Sequence, residues 1–361
     1  MDQIANPRII HRLRLMSTIF TTTQLEAVAA ANPFATLVLN EGGEVLAANP
    51  SAEKLFGGSL KSRPLSMVIR SPDVLEAFER VNETSETLTA RSISRGLTQQ
   101  IVDVHFAILG TAENGKRLLI ATCQDVTREE NVERMRSDFV ANASHELRTP
   151  LTTLSGFIET MQGAAKSDEK ARAEFLTVMK AQADRMSRLI DDLLSLSRIE
   201  LDEHVAPESQ CDLTSIAKQV YSLLQPVANS SKCQLELVMP SELIVTGDAN
   251  QLTQVVHNLV ENALKYAGEG KHVRVIGEVR GRDAFLQVED NGAGIAAHHV
   301  PRLTERFYRV SAKDSCTRGG TGLGLAISKH ILNRHRGKLL IESTPGKGSS
   351  FSILIPMHKN Q

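Results

Sequence analysis

Residues 144–162 read SHELRTPLTTLSGFIETMQ and residues 175–196 read FLTVMKAQADRMSRLIDDLLSL. In the first stretch Leu147, Leu151, Leu154, Ile158 and Met161 step by 4, 3, 4 and 3 residues. Leu176, Met179, Ala183, Met186, Ile190 and Leu193 continue the same alternation in the second. This is a heptad seam, and it predicts two helices joined by the turn Gly163–Asp168. Phe175, Leu189 and Leu196 widen the second stripe beyond what two helices can bury. Pairing with a second copy into a four-helix bundle is the simplest solution, so a homodimer is expected. With Leu147 at a d position, His145 falls at b and faces water. Pro150 cannot donate to the carbonyl of residue 146 and should bend the helix close to that histidine. Taken alone, an exposed histidine near a kink fits a surface position as well as a reactive one.

Outward from this zone the texture changes on both sides. Towards the N-terminus, ATLVLN (35–40) and EVLAAN (44–49) flank Glu41-Gly42-Gly43, and IVDVHFAIL (101–109) and RLLIATCQDVT (117–127) flank Ala112-Glu113-Asn114-Gly115. Both read as hairpins, with a helix near Pro72–Arg80 between them, giving a small α+β domain. Towards the C-terminus, Val273–Val279 pairs with Ala284–Glu289, and Lys338–Ser343 with Ser350–Pro356. Amphipathic helices cover Leu213–Ser230, Asp248–Tyr266 and Leu323–Arg334. That pattern predicts a two-layer α/β sandwich. The chain therefore divides into an N-terminal segment (1–20), a sensor-like domain (21–127), a helical linker (128–137), a helical hairpin (138–204) and a sandwich (209–357).

Composition narrows the function classes. A length of 361 residues suits two or three domains. A formal charge of −1, from 41 basic and 42 acidic residues, with 4% aromatics and no Trp, argues against a nucleic-acid binder. The four cysteines are scattered without a CxxC pair, so neither zinc nor a disulfide framework is expected. No segment approaches about 18 uninterrupted apolar residues, and the basic N-terminus lacks a signal-peptide core. A cytoplasmic location is expected, at most peripheral to the inner membrane, where a membrane-associated partner would also fit.

Several clusters carry chemistry. On the helix Asp248–Tyr266, Leu252, Val255, Val256, Leu259 and Ala263 form the packing stripe, while Asn258, Asn262 and Lys265 share another face. Two asparagines aligned beside Glu261 suggest oxygen ligands for a hard cation such as Mg²⁺, although a solvated helix face reads the same way. Asp290-Asn291-Gly292-Ala293-Gly294 ends a strand with an acid and two glycines. A carboxylate there could accept from an exocyclic amine while the glycines let a ring approach, or the stretch is a plain turn. Gly319-Gly320-Thr321-Gly322-Leu323-Gly324 runs into a helix, whose free N–H groups and dipole would favour phosphate. The spacing is neither a Walker loop nor a Rossmann fingerprint. Arg309 and Arg318 border a polar segment from Ser311 that reads as a lid.

In order, FVANASHELRTPL, NLVENALKY, DNGAG, ERFYRV and GGTGLGLAI resemble the H, N, G1, F and G2 boxes of sensor histidine kinases, over roughly residues 130–357. The resemblance implies a dimerising helical hairpin followed by a Bergerat-type ATP-binding sandwich. It implies His145 as phospho-acceptor, Glu146 as the group that holds or deprotonates its ring, and Thr149 as the residue placing water for dephosphorylation. Asn262 would ligate Mg²⁺, with Asn258 and Glu261 beside it. Lys265 would face phosphate, Tyr266 the adenine, and Asp290 the adenine amine. Gly292, Gly294, Gly320, Gly322, Leu323 and Gly324 would border ATP, and Arg309 would approach its γ-phosphate. Asn32-Pro33-Phe34, Ala48-Asn49-Pro50 and Asp125-Val126-Thr127 resemble a PAS sensor, with Arg128–Ser137 as transmitter. The H-box wording and single PAS look most like phosphate-regulon sensor kinases, which usually carry membrane spans that are not read here. The implied activity is autophosphorylation and transfer to an aspartate of a response-regulator receiver domain, with a phosphatase activity. A non-kinase ATPase of the same superfamily and a weakly active scaffold or phosphatase are the competing readings. No function is attached to Cys316.

Overall fold

The computed structural model describes residues 19–95, 99–310 and 320–357. Cys316, Arg318, Gly319 and the N-terminal segment before Ile19 lie outside the described residues. The chain divides into two compact units between Asp138 and Phe139.

The first unit runs β1 (Ile19–Phe20), α1 (Thr22–Ala31), β2 (Ala35–Asn40), β3 (Val45–Ala48), α2 (Pro50–Phe56), α3 (Leu65–Val68), α4 (Pro72–Thr84), β4 (Leu88–Arg95), β5 (Gln99–Ala112) and β6 (Arg117–Asp125). Its sheet has the order β1-β5-β6-β2-β3, with β4 also on β5. Both expected hairpins form, and Gly43 (φ 79) and Gly115 (φ 78) take the positive φ of their turns. Strand β2 is buried on both faces, which is why Leu37, Val38 and Leu39 are apolar in succession. Leu37 and Leu39 point into the larger core with Phe78, Val104 and Phe106. Val38 packs on the other side with Leu25 and Ala29 of α1.

Asn49 ties this unit together. Its side chain accepts from Ala52 N, capping α2, and from Thr36 N, while it donates to Asn32 O at 2.9 Å and Phe34 O at 2.7 Å. At the sheet's exit Asp125 Oδ1 accepts from Thr127 N, and Thr127 Oγ1 accepts from Ile101 N at 2.8 Å. Helix α5 (Thr127–Gln162) starts there without a break, so the expected linker 128–137 is simply its first turns.

In the second unit α5 and α6 (Glu169–Asp202) form the expected hairpin, with Asp168 capping α6. Phe157 meets Phe175 across it at 4.9 Å between ring centroids. Helix α5 remains continuous through Pro150, which is buried. Leu151, Ile158, Leu176, Ile190 and Leu194 remain exposed on the single chain. One expectation is corrected. Leu189 and Leu196, assigned to a four-helix seam, are buried with Ile199 in the core of the sandwich that follows in the same chain.

That sandwich comprises β7 (Gln210–Asp212), α7 (Leu213–Ser230), β8 (Gln234–Val238), β9 (Ile244–Thr246), α8 (Ala249–Ala267), β10 (His272–Arg280), β11 (Asp283–Asp290), α9 (Gly324–Arg334), β12 (Lys338–Thr344) and β13 (Gly348–Pro356). The five-stranded sheet has the order β12-β13-β11-β10-β8, antiparallel except for β10 with β8. Val273, Val275, Leu286, Val288, Ile353 and Ile355 alternate onto the face that meets Val220, Leu259 and Ile331 of the helices. His335, just past α9, is buried. Its Nε2 accepts the Asp248 N–H at 2.9 Å and its Nδ1 donates to Ile331 O at 2.7 Å, which pins the start of α8 to the end of α9. Among the described residues, no helix is long and apolar enough to cross a membrane.

Candidate functional site

A cavity of about 520 Å³ opens at the C-terminal half of α8, beneath the β11 exit and the α9 entrance. Its size suits a nucleotide-sized ligand. The helix repeat sets Asn258, Glu261, Asn262 and Lys265 on one face, and all four line the cavity together with Tyr266. Asp290, Gly294, Arg309, Gly320, Gly322 and Gly324 line it from the loops. Gly292 and Leu323 do not. Leu323 is fully buried in the core, so its side chain is a packing group rather than a contact for a ligand.

Asp290 ends β11 only 5% exposed. Burial pushes its carboxyl above the usual range, while hydrogen bonds from the backbone of Gly292 and Ser349 pull the other way. The result is a fixed, partly desolvated acceptor. The glycines behind it have a different reason from the one expected. A Cβ on Gly292 would lie 2.8 Å from Ala267 Cα and Tyr266 O, and one on Gly294 would lie 2.1 Å from Thr344 O. They permit backbone to meet backbone rather than making room for a ring. Gly322 is similar, since its Cβ would lie 2.9 Å from Phe307 Cα. Gly320 has open space apart from Arg309 at 4.0 Å.

The polar groups are held by specific partners. Asn258 Nδ2 donates to Gly324 O at 3.2 Å, so Asn258 clamps the start of α9 while bordering the cavity. Lys265 pairs with Glu261 at 3.0 Å, and Arg309 donates to Gly320 O at 2.6 Å. Tyr308, also on the wall, shares a 2.6 Å hydrogen bond with His299 Nδ1.

His145, Glu146 and Thr149 are not on this cavity. His145 is exposed on α5, bordering an open groove with Arg148, Thr149, Thr152 and Thr153. Glu146 pairs with Arg185 of α6 at 2.8 Å, and Thr149 Oγ1 donates to His145 O. What sequence reasoning missed is a third contributor to the cavity. Arg188, Asp191 and Asp192 of α6 line it, and Asp192 accepts from Thr321 Oγ1 at 2.7 Å. The only hint was the acid pair beside the widened stripe at Leu189.

The family model described as "Histidine kinase-, DNA gyrase B-, and HSP90-like ATPase" matches residues 247–359, and the "His Kinase A (phospho-acceptor) domain" matches residues 135–202. The phosphate regulon sensor protein PhoR of Pseudomonas aeruginosa is 34% identical over 334 residues, covering 91% of this chain and 73% of that protein. The sensor histidine kinase WalK of Bacillus subtilis is 31% identical over 344 residues, covering 94% of this chain and 56% of that protein. Among solved structures, the histidine kinase ThkA in complex with response regulator protein TrrA aligns with a TM-score of 0.50 at 22% identity, covering 90% of this chain and 96% of that one, a likeness of fold.

Proposed function

Because the chain belongs to the sensor histidine kinases, ATP-dependent protein-histidine kinases with a His Kinase A domain and a histidine kinase-type ATPase domain, we propose that His145 is the residue it phosphorylates and that the cavity beside α8 holds the ATP. One observation carries the reading. The Asn, Asp and Gly residues singled out in three separate stretches face one cavity, while the exposed His145 stands on the helical stem joined to it.

In the proposed reaction an imidazole nitrogen of His145 attacks the γ-phosphorus in line. A P–N bond forms, the P–O bond to ADP breaks, and ADP leaves with the electron pair. The ring proton passes to Glu146 or to water, and Arg185 holds Glu146 in place. Asp290 accepts from the adenine amine, Tyr266 covers the ring, and Lys265 and Arg309 face phosphate. Gly320, Gly322 and Gly324 carry the backbone along the phosphates, and Gly292 and Gly294 shape the loop. Mg²⁺ fits the donor set, one amide oxygen from Asn262 and one carboxylate from Glu261. Asn262 and Glu261 would hold the ion, which would supply charge neutralisation at the phosphates.

The organisation proposed is a PAS-like sensor (21–127), a transmitter (128–137), a dimerising phosphotransfer hairpin (138–204) and an ATPase domain (209–357). The exposed leucines and isoleucines of α5 and α6 support a homodimer. The partner is a response-regulator receiver domain, docking around His145, with Thr149 placing water for dephosphorylation. Likeness to the P. aeruginosa relative supports a phosphate-limitation pathway.

Incubation with γ-labelled ATP tests the acceptor. Native protein takes up acid-labile, alkali-stable label, and His145→Gln takes up none while still binding nucleotide. Label persisting in His145→Gln would overturn the assignment.

A further inference from the structure

Part of the proposed nucleotide cavity is walled by the stem rather than by the sandwich, through Arg188, Asp191 and Asp192. The contact is seated. Leu189 and Leu196, three residues before and four after Asp192, are 2% and 0% exposed, and Ser195 reaches Gln254 of α8 at 3.5 Å. Between them, Asp192 Oδ2 accepts from the hydroxyl of Thr321, which stands between Gly320 and Gly322 in the loop entering α9. Burial raises the Asp192 carboxyl, helped by its like-charged neighbours Asp191 and Glu261, while the Thr321 hydrogen bond and Arg188 pull the other way.

We infer that Asp192 is a positioning and specificity residue: anchored against Thr321, its negative charge makes the docked stem and ATPase domain favour a nucleoside diphosphate over a triphosphate. The inference rests on the reading that the cavity takes an adenine nucleotide. The glycine loop feeds the N-terminus of α9, which is the phosphate end of the cavity. A triphosphate brings to that end one more phosphate, and about one more negative charge, than a diphosphate. It meets Asp192 and Glu261, both half-buried, where like charges repel more than in water, with the exposed Asp191 beside them. Of the cations there, Lys265 is paired with Glu261, Arg309 donates to the Gly320 carbonyl, and Arg188 donates to the Asp184 carbonyl and acts on Asp192 itself. A ligand that binds the docked form poorly must in turn weaken docking, since coupling is reciprocal. ATP therefore loosens the contact between α6 and the glycine loop, and ADP leaves it in place.

Calorimetric titration of the full chain with ADP and with a non-hydrolysable ATP analogue tests this. Asp192→Asn keeps an oxygen for Thr321 and removes the charge. It should tighten the analogue roughly five- to tenfold and change ADP by less than about twofold. Asp191→Asn, which leaves the Thr321 bond intact, should shift the ratio in the same direction by less, so the test survives a folding failure at 192. Removing Mg²⁺ with a chelator should enlarge both shifts. An unchanged ratio in both variants overturns the inference, as does a Mg²⁺-dependent weakening of the analogue in Asp192→Asn. If the native chain binds neither nucleotide, or Asn262→Ala binds ATP as the native does, the reading of the cavity fails instead.

Discussion

Replacing Gly322 with alanine should cost the chain most of its nucleotide affinity, and the cost can be worked from the backbone. Gly322 sits at φ +74, a conformation that costs an L-residue roughly 1–2 kcal/mol. The new Cβ would lie 2.9 Å from Phe307 Cα, 3.0 Å from its carbonyl carbon and 3.2 Å from its oxygen. Phe307 is poorly placed to retreat. Its N–H donates to Gly322 O at 2.9 Å, its ring packs on Phe139 at 5.9 Å, and its own φ is already 63. Overpacking of this kind adds about 1–3 kcal/mol. A total near 2–5 kcal/mol is met most cheaply by moving the loop, which lowers the fraction of chains competent to bind. At the lower bound, apparent affinity falls about thirtyfold. Gly320→Ala is the control, because its Cβ meets only the end of Arg309 at 4.0 Å, and it should change affinity less than about threefold. Fluorescence titration with a labelled adenine nucleotide reads both. Near-native binding by Gly322→Ala, or equal damage from Gly320→Ala, would refute the reasoning.

Two further outcomes are expected. His335 is held neutral, its pKa lowered by burial first, whereas an unfolded histidine takes up a proton near 6.5. Between those values the unfolded chain binds more protons, so the stability supplied by neutral His335 is present above about pH 6.5 and lost as pH falls. His335→Leu, which strands the Asp248 N–H, should be less stable by about 1–3 kcal/mol at pH 7.5. Chemical denaturation should show that gap narrowing by pH 5.5, and a constant or widening gap would contradict the mechanism. Asn49→Ala should destabilise the first unit by about 2–4 kcal/mol, through a lost cap and stranded buried partners. Asn49→Asp, which loses both donated bonds, should not rescue it in thermal melts.

Local pattern made much of this molecule readable. The run ATLVLN announced a hairpin strand, and the stepping leucines announced α5 and α6. The 3.6-residue repeat placed Asn258, Asn262 and Lys265 on one wall before any cavity was visible. What could not be read was the identity of a partner surface. Leu189 and Leu196 declare an apolar face, but periodicity says nothing about what covers it, and part of that cover is the chain's own ATPase domain. The same gap hid Asp192, whose meaning depends on Thr321, 129 residues away. Asn258 looked like a ligand group, yet its amide nitrogen is turned to the Gly324 carbonyl. His335 gave no signal, since one histidine after a helix has no pattern to belong to.

The burial of Leu189, Leu196 and Ile199 beside the helices of the sandwich bears on how such proteins can be recombined. A swap that joins this stem to a foreign catalytic module at the loop after Glu203 would mate two surfaces that never evolved together. Moving the fusion point upstream of Leu189, so that the last turns travel with their module, should preserve a working hybrid where the tidier cut does not.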